Sequence, residues 1–137
     1  MEIDLSILDG KVKYYYCDTC GNLFEAINDS RNVPVCCGKT MRLLIPGITD
    51  GAIEAHVPII EIEHDKVTIT IGSRPHPMTP EHHINWISLQ TNQGVYRRII
   101  SPNEPATTCF LLREGEKVIA AFAYCNLHEL WMAEPTV

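Results

Sequence analysis

Four cysteines near the N-terminus constrain the fold of this chain more than any other feature. Cys17 and Cys20 form a Cys-x2-Cys pair, Cys36 and Cys37 are adjacent, and all four lie within 21 residues. A segment of about 40 residues buries too little surface to fold without a metal ion or a crosslink. Residues 1–45 are therefore predicted to form a small metal-dependent module, with a boundary in the loop-like stretch that follows, and residues 46–137 a second domain.

The cysteine spacing leaves the identity of the metal open. A Cys-x2-Cys knuckle places two thiolates on one turn, and by itself it favours structural zinc. The adjacent pair Cys36-Cys37 favours iron, because zinc sites usually use two spaced knuckles. Neighbouring side chains of an extended chain point to opposite faces, so both can bind one ion only at a sharp turn, which Pro34 and Gly38 permit. A disulfide between the adjacent cysteines is the remaining alternative.

Composition excludes several classes of function. The net charge of −6 argues against a nucleic-acid partner, which requires a basic face. The N-terminus lacks a basic and then apolar segment of the kind found in signal peptides. The longest apolar run, residues 118–125, is too short to span a membrane. We therefore expect a cytoplasmic protein whose six cysteines are ligands or core residues rather than disulfides.

The residues after 46 show a β pattern. Lys66 to Gly72 alternates apolar and polar side chains with a period of two. Two further pairs of apolar segments flank turn residues and predict hairpins: 86–90 with 95–100, and 107–112 with 117–124. No helical period persists. The expected fold is a small antiparallel β-sandwich, in which Cys109 alternates as a core thiol.

A second metal site is indicated by Cys125 and His128, which follow the apolar run. Four other histidines lie upstream, His56, His76, His82 and His83, while His64 lies at a probable turn and is expected to be solvated. One cysteine with several histidines is a poor set for structural zinc and a good set for a redox metal. Either a blue-copper site, with Met132 as the axial ligand, or a non-haem iron centre fits. Spacing alone does not decide between His82 and His83.

The ordered motifs carry a family resemblance. Residues 15–41 resemble the desulforedoxin module. Four later segments resemble the motifs of superoxide reductase. They are Glu54-Ala55-His56-Val57-Pro58, His76-Pro77-Met78, His82 with Trp86, and Tyr124-Cys125-Asn126-Leu127-His128. Together they resemble a two-iron superoxide reductase, that is, a desulfoferrodoxin. The resemblance implies a rubredoxin-like module followed by an immunoglobulin-like sandwich, assembled as a homodimer.

The resemblance also implies roles for individual residues. Four residues match a rubredoxin-like Fe(Cys)4 centre: Cys17, Cys20, Cys36 and Cys37. Five match the catalytic Fe(His)4(Cys) centre: His56, His76, His82 and His128 as equatorial imidazoles, and Cys125 as the axial thiolate. The resemblance thus selects His82 over His83. Glu54 matches a carboxylate that binds the ferric iron in the resting state.

One position departs from the family. A lysine commonly precedes the histidine of the His-Val-Pro motif, where it attracts the anionic substrate, and this chain has Ala55 there. Arg74 and Lys39 are candidate substitutes that the sequence alone does not place at the site.

The implied activity is the one-electron reduction of superoxide to hydrogen peroxide without formation of dioxygen. An external rubredoxin-like protein is expected to reduce the iron again. Two other classes of protein fit the residues less fully. One is an electron carrier with copper or iron and no superoxide activity, and the other is a zinc-stabilised interaction module.

Overall fold

The chain is built almost entirely of β-strands. The computed structural model describes residues 4–49 and 51–136, and they form twelve strands, one 3-10 turn (Leu5–Leu8) and one helix, α1 (Ile53–His56). No helix in the described part of the chain is long and apolar enough to cross a membrane. The chain divides into two compact units, of which the first ends at Ile45 and the second begins at Pro46.

The N-terminal unit has five short strands: β1 (Lys13–Tyr16), β2 (Leu23–Ala26), β3 (Val35–Cys36), β4 (Lys39–Thr40) and β5 (Arg42–Leu43). Strands β2, β1 and β5 form an antiparallel sheet in that order, and β3 and β4 form a separate hairpin. A small cluster of buried residues, Tyr15, Cys17 and Met41, lies within this unit. Cys17, a candidate metal ligand, is therefore also part of the core of this unit.

The second unit is a sandwich of two antiparallel sheets. Its strands are β6 (Pro58–Glu63), β7 (Lys66–Ile71), β8 (Ile84–Thr91), β9 (Gly94–Ile99), β10 (Thr107–Leu111), β11 (Val118–Cys125) and β12 (Glu129–Ala133). One sheet has the order β10-β7-β6 and the other β12-β11-β8-β9. The two sheets form the antiparallel sandwich that the strand pattern predicted, and seven strands divided three and four match the immunoglobulin-like type that the resemblance implied.

The core of the sandwich lies between the two sheets. Val67, Ile69 and Ile71 of β7 alternate with exposed or half-buried residues and pack with β8 and β11. In one sheet Pro58 pairs with Ile71, so the start of β6 adjoins the end of β7. In the other, Cys125 at the end of β11 pairs with residues at the starts of β8 and β12. The candidate ligands lie at these ends.

The two predicted hairpins have different outcomes. The first is confirmed, because β8 and β9 pair on either side of a turn at residues 92–93. The second is wrong: β10 pairs with β7, whereas β11 pairs with β8 and β12. Both edges of β11 are occupied by those neighbours, so the connection 112–117 crosses from one sheet to the other instead of forming a hairpin.

The prediction that Cys109 is a core thiol is also wrong. Cys109 is exposed, whereas Phe110, the next residue of β10, packs against the core. Successive side chains of a strand point to opposite faces, and the larger aromatic side chain takes the inner one.

Candidate metal centres

A tight hairpin turn brings the adjacent cysteines of the N-terminal unit together. Cys37 and Gly38 connect β3 to β4, and both have left-handed backbone conformations, with φ of 54° and 74°. Two successive positive φ angles define a type I′ hairpin turn. The turn reverses the chain directly after Cys36, which is the sharp change of direction that the two adjacent thiols need to face one ion.

The four sulfur atoms of this unit are spaced as ligands of one ion. The Sγ atoms of Cys17, Cys20, Cys36 and Cys37 all lie within 4.8 Å of one another. Cys36 Sγ is 3.6 Å from Cys20 Sγ and 4.0 Å from Cys37 Sγ. Four sulfurs bound tetrahedrally at about 2.3 Å would lie about 3.8 Å apart. A disulfide bond, with about 2.05 Å between its sulfurs, does not join Cys36 to Cys37.

The chemistry of the four thiols also fits a cation. Backbone N–H groups, that of Cys20 above all, lower the pKa of Cys17 to about 6. Its neighbours Cys20, Cys17 and Cys36 raise the pKa of Cys37 to about 12, because the protonated thiol of Cys37 can donate a hydrogen bond to their sulfurs. A cation at the centre would replace that proton and allow all four residues to bind as thiolates.

The second site lies at one end of the sandwich, where four segments meet. His56 ends α1, His76 and His82 belong to the loop between β7 and β8, and Cys125 and His128 lie at the end of β11 and in the following turn. Atoms of His56, His76, His82 and Cys125 that can bind a metal lie within 4.8 Å of one another. The Nδ1 atom of His128 lies 3.1 Å from Nε2 of His56 and 3.7 Å from Sγ of Cys125.

The four imidazole rings are arranged as a square. Going round it, the ring centroids are 4.6 Å apart for His56–His76, 4.7 Å for His76–His82, 5.1 Å for His82–His128 and 4.8 Å for His128–His56. The diagonal from His56 to His82 is 6.3 Å. Neighbouring rings are inclined by 67° to 83°. This arrangement suits four ligands in the equatorial plane of one ion.

Hydrogen bonds to backbone carbonyls fix which nitrogen two of the rings present. Nδ1 of His56 donates to the carbonyl of Ala52 over 2.7 Å, and Nδ1 of His76 to that of Pro77 over 2.6 Å. Their Nε2 atoms, 3.1 Å apart, therefore face each other with lone pairs. Two imidazole nitrogens bound at right angles at about 2.1 Å would be about 3.0 Å apart. Among the described residues, the buried Nε2 of His82 has no hydrogen-bond partner.

Burial favours the neutral, metal-binding form of these imidazoles. It lowers the pKa of His76 to about 4, and it is also the largest cause of the lowered pKa values of His56 and His82. Repulsion from Arg74, and from His128 and His82 when they are protonated, further lowers the pKa of His56. At neutral pH the rings of His56, His76 and His82 are uncharged and can donate lone pairs to a cation.

Cys125 approaches the site from the protein interior. Its side chain is fully buried and belongs to the core cluster. Burial raises the pKa of Cys125, while backbone N–H groups of Leu127 and His128 act in the opposite direction. These N–H groups prepare the sulfur to carry negative charge, and a bound cation would complete its deprotonation.

Two other candidates, Glu54 and His83, lie outside this group, and so does His64. The carboxylate of Glu54 is exposed and forms an ion pair with Arg74, with 3.3 Å between Oε1 and Nη1. His83 donates its backbone N–H to Oδ1 of Asn126 and places its ring against Thr79. His64 is exposed at the turn between β6 and β7, as predicted.

Met132 does not complete a blue-copper site. On β12, Glu129 pairs with Cys125 and Met132 pairs with Phe122. Because side chains alternate along a strand, Met132 lies on the opposite face of the sheet from Cys125.

Sequence reasoning did not identify two residues that support the ligands. The indole of Trp131 stacks on the ring of His56 at 4.7 Å and donates its N–H to the carbonyl of His128 over 3.0 Å. A Cβ at Gly51 would lie 2.9 Å from Cβ of His128 and from Trp131. Trp131 lies two residues from Glu129 on the same face of β12, and this register depends on the pairing of β12 with β11, which the residue pattern alone does not give.

Asn126 is a third residue of this kind, and it ties two ligand segments together. Its Nδ2 donates to the carbonyl of Glu81, and its Oδ1 accepts the N–H of His83. The loop that carries His82 is thereby fixed to the residue directly after Cys125.

Fold and donor sets together define a β-sandwich metalloprotein with a mixed imidazole–thiolate centre and a separate four-thiolate centre. A family model described as Desulfoferrodoxin matches residues 48–134. A desulfoferrodoxin of Syntrophotalea carbinolica is 41% identical over 124 residues, which cover 90% of this chain and 97% of the relative. The chain belongs to the desulfoferrodoxin family.

Two further comparisons agree with this assignment. A superoxide reductase of Thermococcus kodakarensis is 35% identical over 101 residues, covering 61% of this chain and 88% of the relative. The crystal structure of the superoxide reductase from Treponema pallidum matches with a TM-score of 0.76 at 26% identity, covering 90% of this chain and 98% of that one. The four-cysteine cluster and the histidine–cysteine group are consistent with the two iron centres of desulfoferrodoxin.

Proposed function

We propose that this protein is a superoxide reductase, which converts superoxide to hydrogen peroxide at the mixed histidine–cysteine centre. The observation that carries the proposal is the square of four imidazoles with the buried sulfur of Cys125 beside it. Four neutral nitrogens and one sulfur leave one position of a six-coordinate ion without a protein ligand, as catalysis at a metal requires. Superoxide gains one electron and two protons in this reaction, and no dioxygen is released.

In this proposal the ligands are His56, His76, His82, His128 and Cys125. When iron is bound there, it supplies the one-electron couple that the reaction needs. The neutral imidazoles add no negative charge, which favours the ferrous state, while the thiolate donates electron density to the metal. The backbone carbonyls of Ala52 and Pro77 hold two of the rings in position.

The proposal extends to the remaining cofactor and partners. Cys17, Cys20, Cys36 and Cys37 hold a second iron, in a closed set of four ligands. Glu54, which pairs with Arg74 beside the site, is proposed as the carboxylate that would bind a ferric ion there. A rubredoxin-like protein returns the electron, the chain acts as a homodimer, and the thiolate ligands suit the reducing cytoplasm.

Metal analysis and product analysis together test this function. Protein purified without added metal is expected to contain two irons per chain. Ferrous protein mixed with superoxide is expected to yield hydrogen peroxide and no dioxygen. Release of dioxygen together with peroxide would indicate dismutation instead, and zinc as the only metal would contradict a redox role.

A further inference from the structure

The segment Gly72–Arg74 lies against α1 and is attached to it by backbone hydrogen bonds. The N–H of Gly72 donates to the carbonyl of Val57 over 3.2 Å. The carbonyl of Glu54 accepts the N–H of Arg74 over 2.9 Å and the hydroxyl of Ser73 over 3.3 Å. These bonds fix Arg74 beside Glu54, two residues before the candidate ligand His56.

The close approach of this segment depends on a glycine. Gly72 has φ of +84°, and a Cβ there would lie 2.8 Å from the Cα of Ala55 and 2.5 Å from the carbonyl oxygen of Arg74. A side chain would force the loop away from α1. The Ala55 side chain itself is buried, with 5% of its surface exposed, so the solvent-facing cation at this place comes from the neighbouring loop.

The guanidinium of Arg74 is accessible to a dissolved anion. Its side chain is 60% exposed, and its ion pair with Glu54, 55% exposed, rests on a contact of 3.3 Å. Exposed ion pairs are weak because water and salt screen them. Arginine also presents several N–H donors in a planar fork that suits small anions. A dissolved anion can therefore compete with the carboxylate for this group.

The other cations of the second unit lie elsewhere. They are Lys66, Arg97, Arg98, Arg113 and Lys117. Lys66 starts β7, whose opposite end is beside Pro58 and the site. Arg113 and Lys117 precede β11, whose far end is Cys125, about 23 Å along an eight-residue strand.

The two arginines of β9 have partners of their own. The guanidinium of Arg97 lies 5.1 Å from the ring centroid of Trp86. Arg98 pairs with Glu104 over 2.9 Å. Of the cations of this unit, Arg74 is therefore the one that lies beside α1, the helix that carries the candidate ligand His56.

We propose that Arg74 is the anion-binding residue at the entrance of the mixed centre, and that the incoming monoanion replaces the carboxylate of Glu54 on its guanidinium. This inference rests on the proposed function, since superoxide is a monoanion. It supplies the positive charge that the family resemblance leads one to expect at position 55. In a protein of net charge −6, a local cation also offsets the long-range repulsion of an anionic substrate.

The test compares Arg74→Gln with Arg113→Gln in the iron-loaded full-length protein. Both variants remove one positive charge, but Arg113 lies beyond the opposite end of β11. The first measurement is the affinity of the ferric protein for azide, a redox-inert monoanion, by optical titration. The second is the rate of superoxide reduction. Both are made at about 0.01 M and about 1 M salt, where the Debye length is about 30 Å and about 3 Å.

Arg74→Gln is expected to weaken azide binding and to slow superoxide reduction, each by about tenfold at low salt and by less than about twofold at high salt. Arg74→Lys should restore most of both, and Arg113→Gln should change neither by more than about twofold. Equal results for the two glutamine variants, in a protein that does reduce superoxide, would overturn the inference alone. If azide binding depends on Arg74 but the protein does not reduce superoxide, the role of Arg74 in anion binding is supported and the proposed function is contradicted.

A double-mutant cycle tests the exchange with the carboxylate. In the ferrous protein, where Glu54 is not proposed to be a ligand, Glu54→Gln should speed superoxide reduction at low salt, and this gain should vanish in the Arg74→Gln background, because the carboxylate and superoxide compete for the guanidinium. A gain of the same size in both backgrounds would show that Glu54 acts without Arg74 and would overturn the exchange.

Discussion

The two metal centres differ in how the surrounding protein supports them. In the N-terminal unit the ligands are themselves part of a small core, since Cys17 is buried with Tyr15 and Met41. In the sandwich, two sheets pack an aliphatic core that extends well beyond the ligands, and only Cys125 belongs to both. The first unit is therefore expected to need its metal in order to fold, whereas the second is expected to fold first and to bind metal in a preformed site.

The two centres also differ in their ligand atoms. Four thiolates close a tetrahedral ion, so no substrate can bind there. The mixed centre offers four imidazoles in a square and one buried sulfur, and its exposed neighbours are the charged side chains of Glu54 and Arg74. A structural or electron-transferring metal suits the first set, and a metal that binds substrate suits the second.

The largest effect is expected from Cys125→Ser. A neutral hydroxyl is a much poorer ligand than a thiolate. Because loss of a residue that only supports a ligand already costs about 10–100-fold, superoxide reduction should fall by more than about 100-fold when the ligand itself is lost. The absorption band from sulfur to the catalytic iron should disappear while that of the four-cysteine site remains. Stopped-flow spectroscopy measures both. Cys109→Ser, at an exposed thiol, is the matched control, and full activity of Cys125→Ser would contradict the proposed site.

Cys17→Ser should separate the two centres. We expect the N-terminal unit to lose its iron and its ordered amide resonances, because the substitution removes a ligand and a core residue together. The sandwich should keep its iron and reduce superoxide within about threefold of the wild-type rate, since its ligands all lie past residue 55. Iron per chain should fall from two to one. Loss of both irons would show that the sandwich depends on the first unit.

The metal-free sandwich should lose stability as the pH falls from about 6.5 to about 4. The folded pKa of His76 is lowered from 6.5 to about 4, so in this window the unfolded chain binds protons that the folded chain does not. Stability therefore rises with pH and is lost on acidification. Urea unfolding of metal-free protein at several pH values measures the slope, and His76→Gln should reduce it. A flat profile would mean that the imidazoles protonate without unfolding.

A smaller effect is expected from Gly51→Ala. The new methyl group would meet His128 and Trp131 at 2.9 Å, and such overpacking costs about 1–3 kcal/mol. The visible spectrum of the catalytic iron should shift as His128 moves. Gly115→Ala adds the same methyl group where no atom lies within 4 Å. Its φ of +80° strains an alanine there, but Gly115 lies between β10 and β11, so the variant should leave the spectrum of the catalytic iron unchanged. Identical spectra for both variants would show that the surrounding residues accommodate the methyl group without moving His128.

The sequence was informative where a pattern is local or where spacing is chemical. The period of two in β7, the turn after Cys36 and the Cys125–His128 pair are of this kind. The crossing between β10 and β11 was missed because sequence neighbours usually pair, and only the occupied edges of β11 forbid it. The support that Trp131 and Asn126 give to the ligands was also missed. For Trp131 it depends on the register of β12, and for Asn126 on a hydrogen bond to Glu81, 45 residues away in sequence.

The positions of the ligands along the chain have a consequence for biosynthesis. The four cysteines of the first centre are all translated before the first ligand of the second, and they close within 21 residues. The mixed centre joins His56 to His128, 72 residues apart, so it forms only when β11 and the turn after it have left the ribosome. Since domains tend to fold in the order of their synthesis, a growing chain can acquire iron in two steps, first at the thiolates and later at the imidazoles.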